Sequence, residues 1–151
     1  MGREGHRSGP SPPTAWRAFL VAHARITRAL DVELRNDKDL PISWYDALLQ
    51  LHEAGGSLRM ADLADRLLLS RSATSRFADR LEREGLVNRS AVEEDRRGMR
   101  LELTSSGRHR LSDAAHLHLD GIHRHFTSHL DRNELELLAR IMERLAGEDQ
   151  S

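Results

Sequence analysis

The chain has 151 residues, of which 38% are hydrophobic, 31% are charged and only 4% are aromatic. This length and composition indicate a single domain built of helices with solvated faces, rather than two domains. No apolar run approaches 18 residues, which excludes a membrane-spanning helix, and the start of the chain lacks the apolar core of a secretory signal. The absence of cysteine excludes disulfides, thiolate metal sites and thiol redox sensing. We therefore expect a cytoplasmic protein without a membrane partner.

The net charge is −1, but the charge is unevenly distributed along the chain. Between Ser57 and Arg110, 12 arginines outnumber 9 acidic residues, whereas the remainder has 11 basic and 15 acidic residues. Of the 23 basic residues, 22 are arginine, and the exception is Lys38. The forked N–H donors of arginine suit phosphates and guanine, although a GC-rich genome also favours arginine over lysine. The centre of the chain is thus basic and its flanks are acidic.

The N-terminal part predicts a tail followed by two helices. Residues 1–13 are rich in Gly, Pro and Ser and predict a flexible tail. Thr14 is expected to cap a helix in which apolar residues recur at spacings of three and four, ending before Pro41. Ser43 is expected to cap a second helix, which the glycine pair beginning at Gly55 ends.

The middle of the chain predicts two short helices and a β-hairpin. The expected elements are a helix at about 60–67, a helix over 71–84, strands at 86–89 and 99–103, and a polar loop over 90–98. Ser70 is a good N-cap for the second of these helices, and Gly85 stands where a C′ glycine belongs. Ala73, Phe77 and Leu81 are expected to be its inward face.

The C-terminal part predicts two further helices. Thr104 is expected to cap a long helix that reaches about His129. Asp131 is expected to cap the last helix, with Glu134 in the capping-box position. The whole layout predicts a mainly α fold with a small β-hairpin wing, which is a winged helix-turn-helix.

The helix after Ser70 has the side chains that a groove-reading helix needs. Once its apolar face is assigned to the core, small hydroxyls and arginines remain outside, and these allow close approach and forked hydrogen bonds to bases or phosphates. We expect the major groove to be read by Ser72, Thr74, Ser75 and Arg76, and phosphates to be held by Arg71, Arg80 and Arg89.

The tip of the hairpin reads E-E-D-R-R-G from Glu93 to Gly98. An acid followed by two arginines does not suit a hydrophobic core. It suits a loop in which an arginine enters a narrow minor groove while Asp95 holds the guanidinium. A solvated turn with a local ion pair is the alternative. We expect Asp95, Arg96 and Arg97 to take part in DNA binding.

The segments SRSATSRFADRLEREGLVNR and EEDRRGMRLELTSSG, followed by RHRL, resemble the MarR family of bacterial transcription regulators. The resemblance runs from about Pro41 to Leu111, and D-R-R followed by L-T-x-x-G is its most recognisable stretch. It implies that Arg97 is the minor-groove finger and Asp95 its brace. It also implies a two-fold dimer joined by its terminal helices, and repression of genes until a small-molecule effector releases the protein. The peroxide-sensing branch of the family uses a reactive cysteine, and the chain has none.

The expected organisation is a tail at 1–13, an N-terminal dimerisation helix at 14–40, a winged DNA-binding domain at 41–107, and C-terminal dimerisation helices at 108–151. Apolar faces on the terminal helices exceed what a small winged domain covers, which supports a homodimer. The helix after Thr104 carries a heptad-like stripe of Leu111, Ala115, His118, Ile122, His125 and His129, which a second chain would bury. Such a dimer sets two recognition helices about 34 Å apart on a pseudo-palindromic operator.

Five of the nine histidines lie between His116 and His129, and they allow three interpretations. His125 and His129 form an i, i+4 pair that can chelate zinc, which would make the regulator metal-responsive. Charging of the stripe histidines near pH 6 would instead weaken the dimer. The plainest interpretation is packed, hydrogen-bonded interface histidines.

The sequence also offers candidate residues for an effector site. Family ligand pockets lie between the dimer helices and the winged domain, which makes Trp16, His23, Trp44 and Tyr45 candidate walls for an aromatic or phenolic effector. Ordinary core packing is the alternative for these four residues. No cofactor is expected.

Two other classes of function are alternatives to a DNA-binding regulator. A winged-helix protein-interaction module without DNA binding would be favoured if Asp79, Glu82 and Glu84 neutralised the surface arginines. An enzyme is not expected, because the sequence has no GxSxG, HExxH or P-loop motif and no persuasive carboxylate pair.

Overall fold

The computed structural model describes residues 9–92 and 95–147, without the side chains of residues 95–97. This part of the chain forms six α-helices and one three-stranded antiparallel sheet. The helices are α1 (Pro12–Lys38), α2 (Ile42–Glu53), α3 (Met60–Leu67), α4 (Arg71–Arg83), α5 (Ser105–His125) and α6 (Arg132–Ala146). The strands are β1 (Ser57–Arg59), β2 (Val87–Val92) and β3 (Asp95–Leu103). Within these limits, no helix has the length and apolar character needed to cross a bilayer.

The core lies where α2, α3, α4, the sheet and the first half of α5 meet. β3 is the central strand, with β1 on one side and β2 on the other. Leu101 of β3 lies opposite Leu58 of β1 and is completely buried. Leu48, Leu63 and Leu81, one from each of the three helices, are completely buried as well. This core fixes the position of α4 relative to the hairpin.

α1 and the second half of α5 pack side by side beyond this core. Gly121 lets the two helices pack closely, because a Cβ there would stand 2.7 Å from Cδ2 of Leu30. Glu33 of α1 accepts hydrogen bonds from Arg124 at 2.7 Å and from His125 at 2.6 Å. A long arm of two helices therefore extends from the winged domain.

Three of the expected helix caps are confirmed. The Ser70 hydroxyl accepts the N–H of Ala73 at 3.1 Å, and Thr104 caps α5 in the same way. Asp131 and Glu134 form a complete capping box at the start of α6. These caps are local, since each acceptor lies three residues from its donor.

Two expected caps are wrong. α1 begins at Pro12, two residues before Thr14, because proline has a backbone angle preset for the first helical turn. α2 begins at Ile42, directly after Pro41, so Ser43 lies inside the helix. The N–H of Ile42 donates to Oδ1 of Asp31 at 2.9 Å, a cap from the preceding helix.

The strands and the end of α5 also differ from expectation. β1 was not predicted, because its three residues owe their strand conformation to pairing with β3. β2 and β3 extend into the segment 90–98 that was expected to be loop. α5 ends at His125 rather than His129, because the side chains of Ser128 and His129 bond the carbonyl of Arg124.

Candidate nucleic-acid interface

α3 and α4 form a helix-turn-helix, and the buried face of α4 differs from the expected one. Thr74, Ala78 and Leu81 are its buried residues, while Ala73 and Phe77 are only half-buried. The Thr74 hydroxyl donates to the carbonyl of Ser70 at 2.8 Å, and the side chain is 0% exposed. Thr74 therefore cannot contact a groove, and its expected role in base reading is wrong.

The outward face of α4 carries the remaining polar residues. Ser72, Arg76 and Arg80 are exposed and fall at i, i+4 and i+8, so they form one stripe along the helix. Arg71 is exposed in the first turn, where free backbone N–H groups also favour an anion. Within the described part of the chain, none of these arginines is in an ion pair. This stripe presents forked donors and a small hydroxyl to solvent.

Arg89 of β2 has a different role from the expected one. Its Nη2 donates to Oδ1 of Asp79 and to the carbonyl of Ser75, both at 2.7 Å. Its backbone N–H donates to the carboxylate of Glu82 at 2.9 Å. We therefore revise the expectation that Arg89 holds a phosphate, because its guanidinium ties the hairpin to α4. Ser75 is half-buried beside this contact.

The hairpin of β2 and β3 is the wing. The two strands pair from Val87 opposite Leu103 to Val92 opposite Asp95, with an irregularity between Ala91 and Val92. The backbone of residues 95–97 belongs to β3. The expected contacts of Asp95, Arg96 and Arg97 depend on side chains that lie outside the described residues, so these expectations stay predictions.

The four candidate effector residues do not line one pocket. Trp16 and His23 lie on α1 and each stack with Phe19, at ring-centre distances of 5.9 and 6.2 Å. Tyr45 is buried in the winged domain, and Trp44 lines a shallow pocket beside Asp39 and Arg110. His23 and Trp44 thus line different pockets of the single chain, and the expectation that these four residues are walls of an effector site stays a prediction.

A large apolar cleft lies between α1 and α6, and His23 is the one candidate residue that lines it. It has a volume of about 740 Å³. Its walls are Ala18, Phe19, Ala22, His23, Ile26 and Thr27 of α1, Phe126, and Leu135, Leu138, Ala139 and Met142 of α6. We refer to this site as the α1–α6 cleft.

The histidines of α5 have separate partners. The His118 ring packs on Tyr45 at a centroid distance of 4.3 Å, and its Nδ1 is buried without a hydrogen-bond partner in the described structure. His125 bonds Glu33, whereas His129 bonds the carbonyl of Arg124. His129 lies past the end of α5, so the i, i+4 chelate geometry is absent. Among the described residues, no group of three potential metal ligands comes together.

The heptad-like stripe on α5 is only partly available to a second chain. Leu111 and His118 are buried by the chain's own winged domain, which corrects the expectation for these two residues. Ala115, Ile122 and His125 are half-buried, and His129 is exposed. The face that lacks a partner is on α6 instead, none of whose residues is buried.

These features define a winged helix-turn-helix protein of the DNA-binding class. Residues 38–98 match the sequence profile of the MarR family. The HTH-type transcriptional regulator YfiV of Bacillus subtilis is 37% identical over 75 residues, which span 50% of this chain and only 45% of YfiV.

Two solved structures from Streptomyces coelicolor are similar over nearly the whole chain. AbsC, a MarR family transcriptional regulator, has 30% identity and a TM-score of 0.85 over 93% of this chain and 97% of AbsC. Sco3205, a MarR family regulator solved in complex with DNA, has 28% identity and a TM-score of 0.85 over 97% of this chain and 94% of Sco3205. The chain belongs to the MarR family of transcriptional regulators, which are DNA-binding proteins and not enzymes.

Proposed function

We propose that this regulator is a homodimeric repressor that binds a pseudo-palindromic operator and is released by a small-molecule effector. The observation that carries the proposal is the stripe of Ser72, Arg76 and Arg80 on α4, whose arginines form no ion pair within the described part of the chain. The nearby acids Asp79 and Glu82 bond Arg89 instead. This arrangement favours a surface for a polyanion over the alternative of a protein-interaction module.

The dimer is supported by the terminal helices. α6 buries no residue in its own chain, although Leu135, Leu138 and Met142 line the α1–α6 cleft. Trp16 of α1 is 62% exposed. A second copy of the chain that covers these surfaces places two α4 helices on one face of a duplex. Their spacing in the family geometry, about 34 Å, matches one helical turn of DNA.

The wing completes the DNA contact in this proposal. Arg97 enters the minor groove and Asp95 holds its guanidinium, as the family resemblance implies, and Arg96 takes part in the same DNA contact. Ser72 and Arg76 read the major groove, while Arg71 and Arg80 hold phosphates. Repression then follows from occupation of the promoter.

Effector release is proposed to act through the part of the α1–α6 cleft that the second copy leaves open. The cleft is large enough for an aromatic ligand, and His23 and Thr27 supply polar groups in its apolar wall. α1 is joined to the winged domain by the bond from Ile42 to Asp31. A ligand that moves α1 therefore changes the spacing of the two winged domains. The ligand releases DNA only if it binds the protein more tightly at one spacing than at the other.

Fluorescence anisotropy against DNA from upstream of the protein's own gene tests the proposal, with a scrambled duplex as the reference. We expect salt-dependent binding that prefers the upstream duplex, and weaker binding for Arg76→Ala and Arg97→Ala. Arg83→Ala is the matched control, because Arg83 lies in the last turn of α4 and bonds the carbonyl of Asp79. Equal binding to both duplexes by the wild type would contradict operator recognition, and a monomer in sedimentation would contradict the dimer.

A further inference from the structure

We propose that Arg59 and Arg100 form a clamp for one backbone phosphate of the DNA, at the junction of the sheet and α3. This inference rests on the proposed DNA binding, but it concerns residues that the sequence did not single out. Arg59 ends β1 and is also the N-cap of α3. Arg100 lies directly opposite it on β3.

The two arginines lie on the outer face of the sheet. Residues directly opposite each other in an antiparallel pair project to the same side, and their neighbours Leu58 and Leu101 are buried on the other side. The Nη1 of Arg100 donates to the hydroxyl of Ser57 at 2.8 Å, which orients the guanidinium along this face. Arg59 is exposed.

Two like charges opposite each other in a sheet are destabilising unless an anion joins them. In the described part of the chain, no carboxylate lies within 4.0 Å of either guanidinium, and this includes Asp62 in the first turn of α3. Glu102 shares this face of β3, opposite Ser57, but it forms no ion pair with either arginine in the described structure. The pair is thus a site of positive charge without an ion-paired counterion among the described residues. An oxyanion between the two guanidiniums would remove the repulsion and receive forked hydrogen bonds.

The start of α3 adds backbone donors to the same place. Arg59 has no acceptor in its side chain, and no side-chain cap is present at this helix N-terminus. The first N–H groups of α3 therefore remain available to an anion, which the helix dipole also favours. Two guanidiniums and a helix N-terminus together make a phosphate site.

The position of this site points to DNA rather than a free anion. α3 is the first helix of the helix-turn-helix, the helix that crosses the DNA backbone when the second helix enters the major groove. Arg100 lies on the same strand as Arg97, three residues away. The clamp therefore lies between the wing and the helix pair, where the backbone passes from the major groove to the minor groove.

The test is the salt dependence of binding for the double variant Arg59→Gln/Arg100→Gln, measured on the upstream duplex and on a scrambled duplex of equal length. A plot of the logarithm of the binding constant against the logarithm of the salt concentration has a negative slope. We expect this slope to become less steep by about 0.9 for each bound protomer, on both duplexes. The affinity ratio between the duplexes should not change, because phosphates carry no sequence information. Arg66→Gln is the control, because Arg66 lies at the other end of α3 and bonds Gln50.

Thermal unfolding separates this effect from damage to the fold. The double variant should unfold at the wild-type temperature or slightly above it, because the repulsion between the arginines is removed. An unchanged slope on both duplexes overturns the clamp, even if the wild type recognises its operator. Equal binding to both duplexes by the wild type contradicts the proposed function, yet a reduced slope in the variant still supports the clamp. Absence of DNA binding by the wild type at low salt overturns both.

Discussion

Arg89 of β2 and Asp79 of α4 are joined by an ion pair of 2.7 Å that links the wing to the recognition helix. Arg89 is the more buried partner, with 20% of its side chain exposed against 51% for Asp79. The same guanidinium bonds the carbonyl of Ser75, so the contact has both an ionic and a neutral acceptor. The orientation of α4 relative to the wing is therefore fixed by a side chain as well as by the core.

Replacement of Arg89 by methionine should lower the free energy of unfolding by about 1 kcal/mol, because partly exposed ion pairs contribute little and the carbonyl bond is also lost. Urea denaturation measures this change, with Arg83→Met as the control for an exposed arginine. The salt slope of DNA binding should stay at its wild-type value. A reduced slope with wild-type stability would return Arg89 to the phosphate role that the sequence suggested.

The buried Thr74 and the exposed Ser72 should respond to mutation in opposite ways. Thr74→Val keeps the shape of the side chain but removes its bond to Ser70, and should cost about 1 kcal/mol of stability with no change in operator affinity. Ser72→Ala should leave stability unchanged and weaken operator binding. Chemical denaturation and anisotropy on both variants test this pair. Loss of sequence preference in Thr74→Val would contradict its assignment to the core.

Leu68 carries backbone strain in the turn between α3 and α4. Its φ is +55°, a region that costs leucine about 1–2 kcal/mol relative to glycine, and its side chain is 92% exposed. Leu68→Gly should therefore raise the stability by about 0.5–1 kcal/mol, since the extra freedom of the unfolded chain offsets part of the gain.

Gly85 is the control in the opposite direction, because a substitution there introduces the backbone strain that Leu68→Gly removes. Its φ is +72°, and no atom lies near the position of an added Cβ. Gly85→Ala should lower the stability by about 1 kcal/mol through backbone strain alone. Melting temperatures of the two variants should move in opposite directions. A lower melting temperature for Leu68→Gly would mean that the leucine side chain stabilises the turn.

The stability of the protein should fall as the pH drops below neutrality, because of His118. Burial lowers the pKa of His118 below its ordinary value of 6.5, and attraction to Asp46 opposes this shift in part. A histidine that resists protonation when folded gives stability that is present above pH 6.5 and is lost as the pH falls below that value. Melting temperatures between pH 7.5 and 5.5 cover this range.

His118→Phe should reduce this pH dependence, since phenylalanine keeps an aromatic ring against Tyr45 and does not titrate. Glu33 does not interfere, because its pKa is lowered, chiefly by the hydrogen bond from His125, from an ordinary value of 4.5. The stability that Glu33 contributes is lost only below about pH 4.5. An equal pH slope in His118→Phe and the wild type would assign the effect to other groups.

The parts of the fold that could be predicted from the sequence depend on local chemistry. Ser70, Thr104 and Asp131 cap helices through residues three positions away, so a short window of sequence contains both donor and acceptor. The caps expected at Thr14 and Ser43 were wrong because α1 begins at Pro12 and α2 begins directly after Pro41. For α2, the N–H of Ile42 is capped by Asp31 of α1, which lies outside any short window of sequence around the start of the helix.

The errors at the candidate site have a tertiary origin. Thr74 was assigned to the groove as a polar residue, but its hydroxyl bonds the preceding turn and so can be buried. Leu111 and His118 were assigned to a partner chain because the pattern cannot tell which surface covers an apolar face. The pairing of Arg59 with Arg100 depends on β1, a strand without a pattern of its own.

α6 begins with a complete capping box, yet it buries none of its 15 residues in its own chain. Isolated helices of about this length are marginal in water, so a cap alone does not hold such a helix. Leu135, Leu138 and Met142 are half-buried in the α1–α6 cleft, and in the proposed dimer the second copy completes their burial. The order of α6 then rises with protein concentration. A cell that makes little of this regulator would then hold it in a form whose last helix frays and is open to proteases. Its abundance and its lifetime would rise together.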